Sequence, residues 1–237
     1  MIWRSILPLL LSAVALNGGW AINEITRYAG SEEFKSEIFI DKGRYKSKSG
    51  DETMIIDMNG RKIYFMYESK KRYWGGKAEA VIGDIFKNSV TEMSGDAEVG
   101  HTSINEKSII EIVKTGENIT IDGFEGIGYQ VLVDGELKKE IYIAPKLTAN
   151  GEIDPKDLST IMLLLSGVEV ASAGVIAEIS DEYINLMRQG YPIRTIEYDP
   201  SGDPILTEVV KARQRNFSLD EFSPPKNFIN TKKELEE

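Results

Sequence analysis

Cysteine is absent from the 237 residues, and histidine occurs once, at position 101. Without cysteine the chain can form no disulfide, no lipid-modified cysteine anchor, no thiol nucleophile and no cysteine-ligated zinc or iron–sulfur site. A single histidine also excludes metal sites that need two. His101 stands in a polar, glycine-containing stretch that is typical of a surface loop. These absences leave few routes to catalysis or metal binding.

The chain also lacks the short motifs of common enzyme classes. It has no Gly-x-Ser-x-Gly nucleophile elbow, and Gly123–Gly128 matches neither a phosphate-binding loop nor the dinucleotide fingerprint. The acidic residues near 150–154 and 199–203 lack the spacing of a calcium loop. We therefore predict a protein that is not an enzyme, with no catalytic residues, no metal and no cofactor. A hydrolase that uses two carboxylates from distant positions stays open as an alternative.

One uncharged apolar run, from Ile6 to Leu16, follows Arg4 near the N-terminus. It is about half of the ~20 residues that a membrane-spanning helix needs. Gly19-Trp20-Ala21 places small residues at the −3 and −1 positions of a cleavage site. This layout predicts a signal peptide over residues 1–21, cleaved near Ala21, and a periplasmic or secreted protein. A retained anchor is the alternative.

The charge is acidic overall but uneven. The net charge is −10, which argues against nucleic acid as a partner. Residues 35–77 are the exception, because their 11 basic and 6 acidic side chains give a local net charge of +5. Within this region Lys70, Lys71 and Arg72 are candidate contacts for an envelope protein or an anionic membrane surface. A solvated sheet edge guarded by lysine explains the same charges.

Alternating apolar residues predict two antiparallel meanders, over 33–74 and 118–144, and further strands at 193–198 and 205–212. Asn59-Gly60 and Asp134-Gly135 are typical of hairpin turns with positive φ. Helical spacing appears at 78–86, 155–166 and 180–189, and 88–103 reads as a loop. The pattern predicts an α+β fold in which a curved, mostly antiparallel sheet, a half-barrel, carries helices on its concave side. Residues 22–237 form one domain in this prediction, with a charged tail that frays from about residue 229.

Several short segments together resemble a bacterial exported family, the domain of unknown function 4412. They occur in one order along residues 33–228: Met54-Ile55-Ile56-Asp57, Lys62-Ile63-Tyr64, Lys71-Arg72-Tyr73-Trp74, Gly126-Ile127-Gly128-Tyr129, Glu140-Ile141-Tyr142-Ile143-Ala144, Gly190-Tyr191-Pro192-Ile193-Arg194 and Phe222-Ser223-Pro224-Pro225. The pattern is also similar to the periplasmic lipoprotein-carrier architecture, which implies a sheet wrapped around an apolar cavity. Such a likeness implies a fold and no activity.

Aromatic side chains are the candidate ligand contacts, because they can line an apolar cavity while presenting polar tips. The candidates are Tyr64, Tyr67, Tyr73, Trp74, Tyr129 and Tyr142. Cross-strand packing is the alternative role for them. The leading hypothesis is an exported, non-enzymatic protein that binds or carries a lipid or other apolar ligand in the periplasm. An envelope assembly or interaction protein that uses the basic 35–77 region is the alternative, and the carboxylate-based hydrolase is the second.

Overall fold

The computed structural model describes residues 18–29, 33–93, 108–165, 177–198 and 201–231, with side chains left out at 86–93. The strands are β1 (Gly19–Tyr28), β2 (Glu33–Asp41), β3 (Arg44–Ser49), β4 (Glu52–Asp57), β5 (Lys62–Tyr67), β6 (Arg72–Lys77), β7 (Ile110–Ile121), β8 (Phe124–Val133), β9 (Glu136–Ala144), β10 (Tyr191–Tyr198), β11 (Pro204–Arg215) and β12 (Ile229–Asn230). The helices are α1 (Ala78–Met93), α2 (Pro155–Leu165) and α3 (Asp181–Met187). Short 3₁₀ turns span Thr148–Gly151 and Leu219–Phe222.

All twelve strands form one curved, unclosed sheet in the order β12-β6-β5-β4-β3-β2-β1-β11-β10-β9-β8-β7. Every pairing is antiparallel except that of β12 with β6. The two predicted meanders are therefore the two halves of a single sheet, joined through β1 and β11. The curved, mostly antiparallel sheet is confirmed, and sheet dominates over helix in the described residues.

Strand β1 joins the two halves and lies partly within the segment predicted as a signal peptide. Trp20, Ala21 and Ile22 are buried between β2 and β11. A Cβ atom on Gly19 would lie 2.2 Å from the carbonyl oxygen of Ile40, so glycine permits a close approach there. Cleavage near Ala21 stays a prediction, but it would remove three residues of this central strand.

The turns follow the sequence at most positions. Asp134 and Gly135 have φ of 53° and 81°, which confirms the predicted two-residue turn. The hairpin predicted at Asn59-Gly60 joins β4 to β5, but its predicted two-residue turn is wrong, because the positive φ of 50° falls on Arg61 instead. Asp57 Oδ1 accepts a hydrogen bond from the Gly60 N–H (3.0 Å), so a side chain stabilises a longer turn.

The three described helices begin where the sequence predicts. Ser180 caps α3 by accepting a hydrogen bond from the Tyr183 N–H (3.1 Å), and Asp154 Oδ1 accepts one from the Lys156 N–H (2.9 Å) at the start of α2. Helix α1 runs to Met93. The loop predicted over residues 88–103 is therefore wrong for residues 88–93, which are helical. The rest of that loop, including His101, lies outside the described residues.

Candidate functional site

Alternation along the strands gives the sheet two faces. The helix-bearing face is the one that carries Ile56 and Ile63, which line a pocket together with Ile82 of α1 and Ile161 of α2. The opposite face of the same strands carries Ile55 and Met66. There they pack against Phe222 of the C-terminal segment, residues 216–231.

Strand register arranges the helix-bearing face of β1–β6 in three rows of directly paired residues. The deep row is Trp20, Ile40, Tyr45, Ile56 and Ile63; the middle row is Ile22, Ile38, Ser47, Met54, Phe65 and Trp74; the rim row is Glu24, Ser36, Ser49, Glu52 and Tyr67. All members of the deep row are buried, whereas the rim row is half-buried or exposed. Polarity and exposure thus rise together along the strands.

Two pockets open on this face over β4 and β5. One, of about 260 Å³, lies over Met54, Phe65 and Tyr67 with Ser47 and Ser49 beside them. The other, of about 210 Å³, lies over Ile56 and Ile63 beneath α1 and α2. Met54 pairs with Phe65 and Ile56 with Ile63, so the pockets sit on neighbouring rows. Among the described side chains, Met54 and Phe65 are left half-buried at the first pocket, whereas Ile56 and Ile63 are buried at the base of the second.

A third, more polar cavity of about 200 Å³ lies further along the same face, over β1, β11 and β10. Its walls are Glu24, Tyr183, Tyr191, Pro192, Thr195, Glu197, Thr207 and Val209. Tyr183 comes from α3, so the cavity lies between that helix and the sheet. It brings together two carboxylates, two phenols and two threonine hydroxyls.

Glu24 is the most perturbed carboxyl group of the cavity. Its Oε1 accepts a hydrogen bond from the Tyr191 hydroxyl (2.9 Å). Burial raises the pKa of Glu24 to about 7, although the Tyr191 hydroxyl opposes the shift. Burial and the neighbouring Glu24 raise the pKa of Tyr45 to about 12, and the same two causes raise the pKa of Tyr191 well above its usual value. Glu24 therefore changes charge near neutral pH.

The second carboxylate of the cavity is neutralised by a buried lysine. Lys139 is 4% exposed, and its Nζ donates to Glu197 Oε1 (2.8 Å) and to Glu178. The ammonium also lies 5.8 Å from the centre of the Tyr183 ring. Burial alone would lower the pKa of Lys139, but Tyr183, Glu178 and Glu197 raise it above its usual value. Lys139 is thus a fixed cation with its charge already matched.

The six aromatic candidates divide between the two faces. Tyr67 and Trp74 belong to the rim and middle rows, and Trp74 stacks on Phe65 with ring centres 5.3 Å apart. Tyr64 and Tyr73 lie on the opposite face, in edge contact at 5.9 Å, and pack beside the C-terminal segment. Their role as ligand contacts stays a prediction.

Tyr129 and Tyr142 lie in the other half of the sheet. Tyr129 pairs with Ile141 and donates its hydroxyl proton to Gln189 Oε1 (3.2 Å). Tyr142 is on the face opposite Ile141 and donates to Glu117 Oε2 (2.9 Å). The structure therefore does not gather the six candidates into one site.

The three basic candidates lie together at the turn between β5 and β6. Lys70 and Lys71 are exposed, and the Lys70 Nζ lies 5.4 Å from the centre of the Tyr67 ring. Arg72 begins β6 and pairs with Ile229 of β12, while the Lys71 carbonyl accepts a hydrogen bond from the Ile229 N–H (2.9 Å). The turn is thus an attachment point for the C-terminal segment as well as a charged surface.

Sequence reasoning missed Met54, Phe65 and Glu24 as site residues. The alternating pattern placed Met54 and Phe65 on one face of predicted strands. It could not show that they stay half-buried, because that depends on which other segments pack over them. Glu24 gave no usable signal because β1 itself was not assigned. Register across four strands is what connects it to the pockets.

The described residues lack two further features. No helix among them is both long and apolar enough to cross a membrane. Within the same ranges, no three histidine, aspartate or glutamate side chains come together as a metal site would require.

Comparisons with known proteins give distant structural likeness. No protein-family model and no curated protein matches the sequence, so the resemblance to the family of unknown function stays a prediction. The chain is similar to MucB in complex with MucA(peri), with a TM-score of 0.41, 7% identity, and coverage of 91% of this chain and 57% of MucB. It thus spans a little over half of MucB.

Two further solved structures show a similarly low structural likeness. PNGF-II has a TM-score of 0.41 and 9% identity, with coverage of 89% of this chain and 30% of that one. A LolA superfamily protein from Nitrosomonas europaea has a TM-score of 0.31 and 10% identity, with coverage of 87% and 90%. At TM-scores below 0.5, these likenesses are too distant to carry a function to this chain.

Proposed function

We propose that the chain is an exported, non-enzymatic protein that binds or carries an apolar or amphipathic ligand on the helix-bearing, concave face of its sheet. The observation that carries this proposal is the pair of apolar pockets over Met54–Phe65 and Ile56–Ile63. Met54 and Phe65 are half-buried, and such apolar side chains are the surface that a hydrophobic ligand covers with a gain in free energy, whereas Ile56 and Ile63 are already buried at the base of the second pocket. The N-terminal apolar run supports a periplasmic location.

Dye binding tests this proposal. The neutral apolar dye N-phenyl-1-naphthylamine should bind the purified protein saturably, with increased fluorescence. Phe65→Gln should weaken binding at least about fivefold, because the ring forms a wall of the larger pocket. Leu219→Gln is the matched control, since Leu219 is an exposed apolar residue (66%) of the C-terminal segment. Absence of saturable binding, or equal binding by Phe65→Gln and the wild type, would overturn the proposal.

The envelope-interaction alternative rests on the exposed turn at Lys70 and Lys71. It predicts that the double variant Lys70→Glu, Lys71→Glu loses co-sedimentation with vesicles that contain anionic lipid. Neutral vesicles supply the control, because charge attraction disappears with the lipid charge. Equal sedimentation of variant and wild type with anionic vesicles would count against this function.

The hydrolase alternative has one observation in its favour, which is that Glu24 and Glu197 line the same cavity. Their environments differ, with burial raising the pKa of Glu24 and Lys139 neutralising Glu197, as in an acid–carboxylate pair. Glu24→Gln would abolish any glycoside hydrolysis by the purified protein. Hydrolysis that survives in this variant would eliminate the pair as its source.

A further inference from the structure

We propose that the ligand is an amphiphile with a cationic, amine-type headgroup, which enters the polar cavity at Glu24 while its chain extends over the rim row to the pocket at Met54 and Phe65. This inference rests on the proposed function and deepens it. Three features carry it: a connection between the cavity and the larger apolar pocket along the rim row, an unmatched carboxyl group, and the size of the cavity.

The polar cavity and the larger apolar pocket lie on one face and share one row. Glu24 pairs with Ser36, and Ser36 pairs with Ser49, which lines the pocket over Met54 and Phe65. Ile22 of the middle row, one step inward along β1, is 0% exposed, so the route from Glu24 to the pocket runs over Ser36 and Ser49. Neighbouring strands lie about 4.8 Å apart, so a chain that starts at Glu24 reaches the pocket after about 10 Å.

Glu24 is the unmatched carboxyl group of the cavity, because Glu197 and Glu178 already share the Lys139 ammonium. Among the described residues, no lysine or arginine nitrogen lies within ion-pair distance of Glu24, whose polar contact is the Tyr191 hydroxyl. Lys139 is engaged by Glu178 and Glu197 and so has no charge to spare. A carboxylate turned into a cavity without a cation is stabilised by a ligand that brings one. The aromatic side chains of Tyr183 and Tyr191 in the walls also favour a cation.

The size of the cavity suits a headgroup and excludes a whole amphiphile. Its volume of about 200 Å³ equals the liquid volume of roughly six or seven water molecules. An ammonium group with its first methylenes fits, whereas a long chain must continue elsewhere. The apolar pockets of about 260 Å³ and 210 Å³ on the same face provide that space.

Binding of an amine should depend on pH through Glu24. The groups that face Glu24 are Tyr45 from β3, Tyr191 and Glu197 from β10, and Tyr183 from α3, with Lys139 beyond Glu197. Because burial holds the pKa of Glu24 near 7, the carboxylate forms as pH rises from 5.5 to 8. An alkylamine stays protonated over that range. Its affinity should therefore rise with pH, while that of an uncharged alcohol should not.

Displacement of N-phenyl-1-naphthylamine by dodecylamine, dodecanol and dodecanoate tests the inference with chains of equal length. At pH 8 we expect dodecylamine to displace the dye at about one-tenth the concentration of dodecanol, with dodecanoate weakest. The advantage of amine over alcohol should shrink to about twofold at pH 5.5. Glu24→Gln should reduce it to a similar value at pH 8. Glu37→Gln, on the opposite face of β2, is the matched control and should keep the wild-type ratio.

The outcomes separate this inference from the function beneath it. If none of the three amphiphiles displaces the dye, the proposed function fails. If amine and alcohol displace it equally in the wild-type protein at pH 8, the function stands and the cationic headgroup is wrong. An unchanged ratio in Glu24→Gln overturns the role of Glu24. Should that variant fold poorly, a wild-type ratio that does not change between pH 5.5 and 8 overturns it equally.

Discussion

Strands β4 and β5 present apolar side chains on both faces, and the two faces are treated differently. On one face Ile55 (0% exposed) and Met66 (2%) are covered by Phe222 of the C-terminal segment. On the other, Met54 and Phe65 stay half-buried beside a pocket. Among the described residues, the C-terminal segment thus covers one apolar face of these strands and leaves part of the other face accessible.

The covered face is held by aromatic and charged contacts. Phe217 contacts Phe39 and Phe222, with ring centres 5.8 Å and 5.5 Å apart, and the Arg215 guanidinium lies 4.0 Å from the centre of the Phe217 ring. A capping box between Ser218 and Glu221 fixes the turn that carries Phe222. The C-terminal segment is therefore packed against the sheet, and Ile229–Asn230 pairs with β6, which corrects the predicted fraying from about residue 229.

Shortening β1 should disrupt the buried deep row of the helix-bearing face and have the largest effect on stability. A chain that begins at Ile22 lacks Trp20, which is 6% exposed, and loses the pairings of residues 19–21 with β2 and β11. Loss of a buried tryptophan typically costs about 3–5 kcal/mol. We expect the free energy of unfolding in urea to be lower by at least about 4 kcal/mol than in a chain that begins at Gly18. Equal stability of the two chains would contradict this and would fit cleavage near Ala21.

Phe222→Ala should uncover the closed face. Phe222 is 3% exposed, and truncation of a buried phenylalanine costs about 3 kcal/mol or more. Urea unfolding followed by circular dichroism measures the change. Leu219→Ala in the same segment is the control and should change stability by less than about 0.5 kcal/mol, because Leu219 is 66% exposed. Similar values for the two variants would show that the segment does not close this face.

The sequence was sufficient for the parts of this comparison that depend on local pattern. Alternation in 53–58 and 62–67 predicted both faces of β4 and β5, and Ser180 and Asp154 marked two helix starts. Which face is covered could not be predicted, because it depends on where residues 216–231 return in space. The six aromatic candidates failed to converge for a related reason. Adjacent residues on a strand, such as Tyr64 and Phe65, point to opposite faces of the sheet. Aromatic residues that are neighbours in the sequence therefore need not line the same site.

Glu24→Gln tests how strongly the rim row of the helix-bearing face is shielded from water. Burial raises the pKa of Glu24 from 4.5 to about 7, so between these values the unfolded chain has lost a proton that the folded chain retains. Stability of the wild type therefore falls as pH rises from about 4.5 to 7. The full shift amounts to about 3 kcal/mol, and half-burial reduces this to about 2 kcal/mol.

The measurement is the free energy of unfolding at pH 4.5 and pH 7.5. Glu24→Gln removes the ionisable group and keeps an acceptor for the Tyr191 hydroxyl. The stability of the variant relative to the wild type should therefore increase as pH rises. The stability of Glu37→Gln should change with pH in the same way as that of the wild type. A wild-type minus variant difference that is constant with pH would mean that Glu24 is as well hydrated as an ordinary surface carboxyl.

Phe65→Ala should have the smallest effect on stability and the clearest meaning when set beside Phe222→Ala. Both variants remove a phenylalanine ring from a contact with β4 or β5, but Phe65 is half-buried and borders an open pocket. Folding buries less apolar area at Phe65 than at Phe222. We therefore expect Phe65→Ala to lower the free energy of unfolding by about 1 kcal/mol or less. A loss as large as that of Phe222→Ala would mean that this face is as closed as the other. The apolar surface over β4 and β5 would then have no room for a ligand.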